Sequence, residues 1–148
     1  MTVHEAKTFT VLFDAREDRL RLVLNYEQPQ ERFDYWITRS FLLKLLPVLS
    51  NFNPHSKQES IKTLPISSQP SSVASTDNIT LELTQKDPYI LDQIHFHILE
   101  NQQIRIDFDP HPGPRYVAIL SGEEINAIRN LLIQTAPSLE WGIGPWWR

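Results

Sequence analysis

The chain has 148 residues, 41% of them hydrophobic and 22% charged, with a formal net charge of −4. This is ordinary globular composition, enough for one domain or two half-domains sharing a core, and it lacks the cationic excess that general polyanion binding requires. With no cysteine, disulfides, thiolate nucleophiles, zinc fingers and Cys-ligated clusters are excluded.

Phe9, Val11 and Phe13 alternate with Thr8, Thr10 and Leu12 at the period of a half-buried strand. Leu20, Leu22 and Leu24 alternate in the same way with Arg19, Arg21 and Val23. Antiparallel pairing keeps opposed residues on one face, so Phe13 should oppose Leu20, Val11 Leu22 and Phe9 Leu24, with the turn at residues 15–18. A third strand near Phe33–Ile37 leads to Thr38 as N-cap of a helix ending near Phe52. On that helix Phe41, Leu42, Leu45, Leu46, Leu49 and Phe52 make one apolar stripe, from which Leu43 stands aside. Pro47 lacks an amide hydrogen and should bend the helix.

Residues 53–78 hold seven serines and three prolines, the composition of a flexible linker. Ile79, Leu81 and Leu83 form a short alternating strand. A second hairpin then sets Ile94, Phe96 and Ile98 opposite Phe108, Ile106 and Ile104 around Asn101, and a proline-rich turn follows at Asp109–Pro114. A strand over 115–120 runs into a helix that Ser121 and Glu124 close with a capping box and Pro137 ends. Residues 137–148 form a tail holding Trp141, Trp146 and Trp147.

Ile37, Thr38, Leu42, Leu45 and Leu49 match Leu120, Ser121, Ile125, Ile128 and Leu132 in order and spacing. The chain therefore reads as an α+β protein: antiparallel sheet from two pseudo-repeated β-β-β-α units, with two main helices packed on it. The expected organisation is a single domain over residues 1–148, with unit one at 8–52, a linker at 53–78, unit two at 79–136 and the tail at 137–148.

The paired phrases Tyr35–Leu43 and Val117–Ile125, each following a hairpin, resemble the layout of Whirly and PUR-repeat proteins, which bind single-stranded nucleic acid on curved sheet surfaces. The resemblance implies four strands per copy, of which the first copy shows three. It carries no diagnostic motif.

Two constellations suggest chemistry. Arg16, Arg19, Arg21, Arg32 and Arg39 lie near Tyr26, Phe33 and Trp36, a basic-aromatic mixture suited to stacking and backbone contact with a single nucleic-acid strand. Asp14, Glu17, Asp18, Glu31 and Asp34 are interspersed among them, and local ion pairing accounts for the same residues. On the second hairpin the register places His95 opposite Asp107 and His97 opposite Arg105, with Asp109 and His111 near, a donor set that suits a divalent metal. Arg105 stands inside that set, so the preferred reading is a solvated strand face that holds no metal.

Only four glycines occur, at 113, 122, 142 and 144, and neither phosphate-binding glycine pattern can be assembled from them. No nucleophile motif orders the Ser, His and Asp residues. These observations lead to a non-catalytic binding or assembly module that works through protein contacts, with an unidentified protein or a second copy as partner. Trp146 and Trp147, with the first-unit cluster, are its candidate contact residues, while the preferred reading of the tail is that it folds back over the apolar edge of the chain's own sheet. Single-stranded nucleic-acid binding is the alternative and metal-dependent activity a further one. No cofactor is implied. No run approaches a membrane span, and the N-terminus has no apolar core for a signal peptide, so the expected location is cytoplasmic.

Overall fold

The computed structural model describes residues 3–28, 30–52, 73 and 88–137. The chain is α+β, with two helices and two four-stranded sheets among the described residues. The strands are β1 (Val3–Glu5), β2 (Phe9–Asp14), β3 (Arg19–Leu24), β4 (Phe33–Ile37), β5 (Tyr89–Ile90), β6 (Ile94–Ile98), β7 (Ile104–Phe108) and β8 (Arg115–Leu120). Helix α1 (Arg39–Ser50) follows β4, and α2 (Gly122–Thr135) follows β8.

Both hairpins form in the register their alternation dictates. Phe9, Val11 and Phe13 oppose Leu24, Leu22 and Leu20. Ile94, Phe96 and Ile98 oppose Phe108, Ile106 and Ile104. The third strand of each half pairs antiparallel with its hairpin, Ile37 opposite Leu20 and Leu120 opposite Ile104. Thr38 accepts from the Phe41 amide, and Ser121 exchanges bonds with Glu124 in a full capping box.

The leading strands depart from the expected β-β-β-α units. Each half opens with a short extra strand, and that strand is given to the other half. β1 precedes the first hairpin yet pairs parallel with β8; β5 precedes the second yet pairs parallel with β4. One sheet therefore runs β1-β8-β7-β6 and the other β2-β3-β4-β5, both antiparallel except at one edge. The bonds from the Ala6 amide to the Val117 carbonyl and from the Leu91 amide to the Trp36 carbonyl extend both exchanged strands into the core, where Ala6 and Leu91 are buried. Neither half can complete its sheet without the other.

Asn25 secures the first exchange. It sits at φ +55°, a conformation asparagine tolerates better than most residues. Its side chain accepts from the Lys7 amide and donates to the Glu5 and Glu31 carbonyls. Its own amide donates to the Thr8 carbonyl, just as the Asp109 amide donates to the Gln93 carbonyl in the second half.

The inward faces of both sheets and both helices share one apolar core. Tyr35 and Phe9 meet Phe108 across the seam, and the Arg129 Nε donates to the Ser50 hydroxyl to tie the helices. Leu42, Leu45, Leu46 and Leu49 of α1 are buried, as are Ile125, Ile128 and Leu132 of α2. Leu43, off the expected stripe, still packs partly against the core. Among the described residues the interior retains an apolar gap of about 20 Å³, too small for a ligand. The linker, apart from Val73, lies outside the described residues, as do the expected strand at Ile79–Leu83 and the tail with Trp141, Trp146 and Trp147.

Candidate functional site

Strand alternation puts Arg19, Arg21, Asp34 and Trp36 on the outer face of the first sheet, where Arg21 directly opposes Trp36. The Arg19 and Arg21 guanidinium groups lie 5.5 and 5.1 Å from the Trp36 ring centre, within cation–π range. The Arg21 Nε stands 3.3 Å from Asp34, and Arg32 grips the same carboxylate with two bonds of 2.9 and 2.8 Å. Arg21 is only 2% exposed; Thr10, Val23 and Asp34 on this face are buried as well. The centre of the face expected to meet a nucleic-acid strand is therefore covered, with Arg21 and Arg32 paired to Asp34, while Arg19 and Trp36 remain half-buried. Arg39 stands apart at the start of α1, exposed beside a hollow lined by Thr38, Ser40, Leu43 and Lys44.

The outer face of the second sheet is open. Arg105 donates to Asp107 at 2.8 Å, while Arg115 lies 3.7 Å from Asp107 and 3.5 Å from Asp109. The expected opposition of His95 to Asp107 holds at the backbone, but the imidazoles lean diagonally, His95 to within 3.7 Å of Asp109 and His97 to within 3.8 Å of Asp107. Two arginines thus already engage the carboxylates a metal would need. Among the described residues no group of three potential ligands is disposed to hold a metal ion. Apolar side chains interrupt this polar face: Ile119 is 53% and Val3 46% exposed, on neighbouring strands.

Sequence reasoning did not reveal a third feature, formed where the exchanged strands meet the starts of β4 and β8. His4, Tyr116, Phe33 and Tyr89 stack in a ladder with ring centres 4.9, 5.1 and 5.8 Å apart. They line a cleft of about 530 Å³ together with Gln30, Glu31, Arg32 and Pro114. Gly113 allows the close packing, since a Cβ there would meet the Tyr89 ring and Pro110 at 2.9 Å, and its φ of +144° suits glycine alone. Behind the ladder Tyr35 donates to the Pro114 carbonyl. Burial, then Tyr116 and Asp109, push the Tyr35 hydroxyl far above the usual tyrosine range. Burial and then Glu31 raise Tyr116. Neither phenol acts as a base at neutral pH. The signal in the sequence was four isolated aromatic residues with no common period.

No helix among the described residues is long and apolar enough to cross a membrane. No protein-family model matches the chain, and neither a curated protein nor a solved structure is significantly similar to it. The class defined by fold and surface is an α+β protein of two strand-exchanged sheets with one open outer face.

Proposed function

We propose that this chain is a non-catalytic binding or assembly module of the cytoplasm that works through protein contacts on the outer face of its second sheet. One observation carries the reading. Thr10, Arg21, Val23 and Asp34 at the centre of the first sheet's outer face are buried, whereas on the second sheet Ile119, Val3 and Arg105 are exposed beside Asp107 and Arg115. Half-exposed apolar groups ringed by arginines are the composition of an interface core and rim. Affinity capture from native lysate tests it, comparing the wild-type chain with Ile119→Asp, with and without nuclease. The expected result is a partner that survives nuclease and is lost with Ile119→Asp. A partner retained equally by both proteins would overturn the assignment of the face.

Single-stranded nucleic acid is a second reading, and the ring ladder is what favours it. His4 is exposed at one end of the ladder, and bases stack on such rings with little regard to sequence. The order of four strands and a helix, occurring twice, supports an internal duplication and the likeness to Whirly and PUR-repeat proteins; the parallel exchanged strands add a feature of this chain's own. Oligonucleotide binding that weakens steeply with salt and is lost on His4→Ala would establish this reading over the first.

A further inference from the structure

Among the described residues, the outer edge of β6 is a strand edge without a neighbour. The bonds from the Asp109 amide to the Gln93 carbonyl and from the Leu99 amide to the Gln103 carbonyl bracket the β6–β7 ladder. With the observed register, His95 and His97 exchange bonds with β7, so the backbone groups of Ile94, Phe96 and Ile98 point away from it. Among the described residues nothing pairs with them. Edge strands are normally blunted by a charge, a proline or a bulge. Residues 93–99, Gln-Ile-His-Phe-His-Ile-Leu, contain no Lys, Arg, Asp, Glu or Pro. Ile98 is 75% exposed, the most of any large apolar side chain described. The corresponding edge of the first sheet is not left bare, because Val73 bridges Phe9 there.

The strand is also a palindrome: Ile94-His95-Phe96-His97-Ile98 reads the same in both directions. We propose that β6 is a self-pairing edge, joining two copies of this chain antiparallel about a twofold axis at Phe96 and merging their second sheets into one. In that register Phe96 meets Phe96 of the second copy, Ile94 meets its Ile98, and His95 meets its His97. The pairs centred on Ile94, Phe96 and Ile98 are the ones whose backbone groups point outward, so each exchanges both hydrogen bonds. A twofold axis perpendicular to the sheet keeps inner faces with inner faces. The exposed Ile98 is thereby covered by Ile94, and the imidazoles line up on the polar side. A symmetric, self-complementary patch is what closed dimers use. The inference is independent of any partner on the outer face.

Sedimentation velocity and cysteine cross-linking test it together. The wild-type chain is expected to sediment as a dimer of twice 17.3 kDa. Ile98→Lys, a change at a solvent-facing side chain, is expected to give the 17.3 kDa monomer with an unchanged circular dichroism spectrum. Ile119→Asp, which disables the outer face, is expected to leave the dimer intact. Because the chain has no native cysteine, His95→Cys and His97→Cys proteins can be mixed and oxidised. The register sets these two positions directly opposite at a Cα separation of about 4.5 Å, inside the span a disulfide bridges. The mixture should therefore cross-link faster than either protein alone. A monomeric wild-type chain, an Ile98→Lys dimer, or homotypic cross-links forming as fast as the mixed one would each overturn the proposal.

Discussion

Arg21 and Arg105 occupy matching places in the two sheets, each opposite the residue two positions before a helix N-cap, Trp36 in one case and Ile119 in the other. Both have a carboxylate at hand, Asp34 at 3.3 Å and Asp107 at 2.8 Å. Yet Arg21 is buried and Arg105 has nearly half its side chain in solvent. The same ion pair therefore has two different energetic meanings. In the first sheet both charges are removed from water; in the second only Asp107 is, and the exposed Arg105 keeps water as an alternative partner.

Asp34→Ala gives the largest effect that this difference predicts. It removes a carboxylate that two enclosed guanidinium groups share, those of Arg21 and Arg32, and should destabilise by about 3–5 kcal/mol in denaturant titrations. Asp107→Ala should cost clearly less, because Arg105 and Arg115 reach solvent and can rehydrate. Equal losses would break the comparison.

The core should not distinguish the halves. Leu45→Ala and Ile128→Ala remove side chains from matched, buried positions, and each should cost about 2–5 kcal/mol. Leu43→Ala, only partly buried, should cost less than either.

The helix starts sharpen the comparison on a smaller scale. Ser121→Ala and Thr38→Ala each remove one side-chain acceptor, but the amide of residue 121 keeps its bond to the Glu124 carboxylate, whereas Phe41 offers no such bond to residue 38. Losses of about 0.5–2 kcal/mol are expected, with Thr38 at the upper end. Thermal melts of the two variants measure the order directly.

Tyr35 has no aromatic counterpart in the second half, where Ala118 takes the matching place. Tyr35→Phe should cost about 0.5–1.5 kcal/mol through the lost bond to the Pro114 carbonyl. Because the folded hydroxyl titrates above the unfolded value of about 10, the unfolded chain loses its proton first. Tyr35 therefore contributes stability that is complete below about pH 10 and falls as pH rises above it. Alkaline melts should fall less steeply with pH for Tyr35→Phe than for the wild type. The smallest effect is expected of Arg105→Ala, about 0–1 kcal/mol.

Hairpin registers, helix caps and the faces of both helices were legible because each depends on residues close in sequence. Phe9, Val11 and Phe13 state their face by alternation, and Ser121 with Glu124 states a helix start. The exchanged strands were not legible. Val3–Glu5 and Tyr89–Ile90 are too short to show a period, and their partners at Arg115–Val117 and Tyr35–Trp36 lie in the opposite half of the chain.

The sequence by itself determined the α+β class, the two hairpins and the helices that follow them, since periodicity and capping are local properties of the backbone. Only the tertiary structure decided that the leading strands cross over, that His4, Phe33, Tyr89 and Tyr116 gather into one ladder, and that Arg21 is enclosed while Arg105 is not. Strand pairing between distant segments and the removal of a charge from water depend on what packs alongside. Neighbouring residues along the chain carry no record of it.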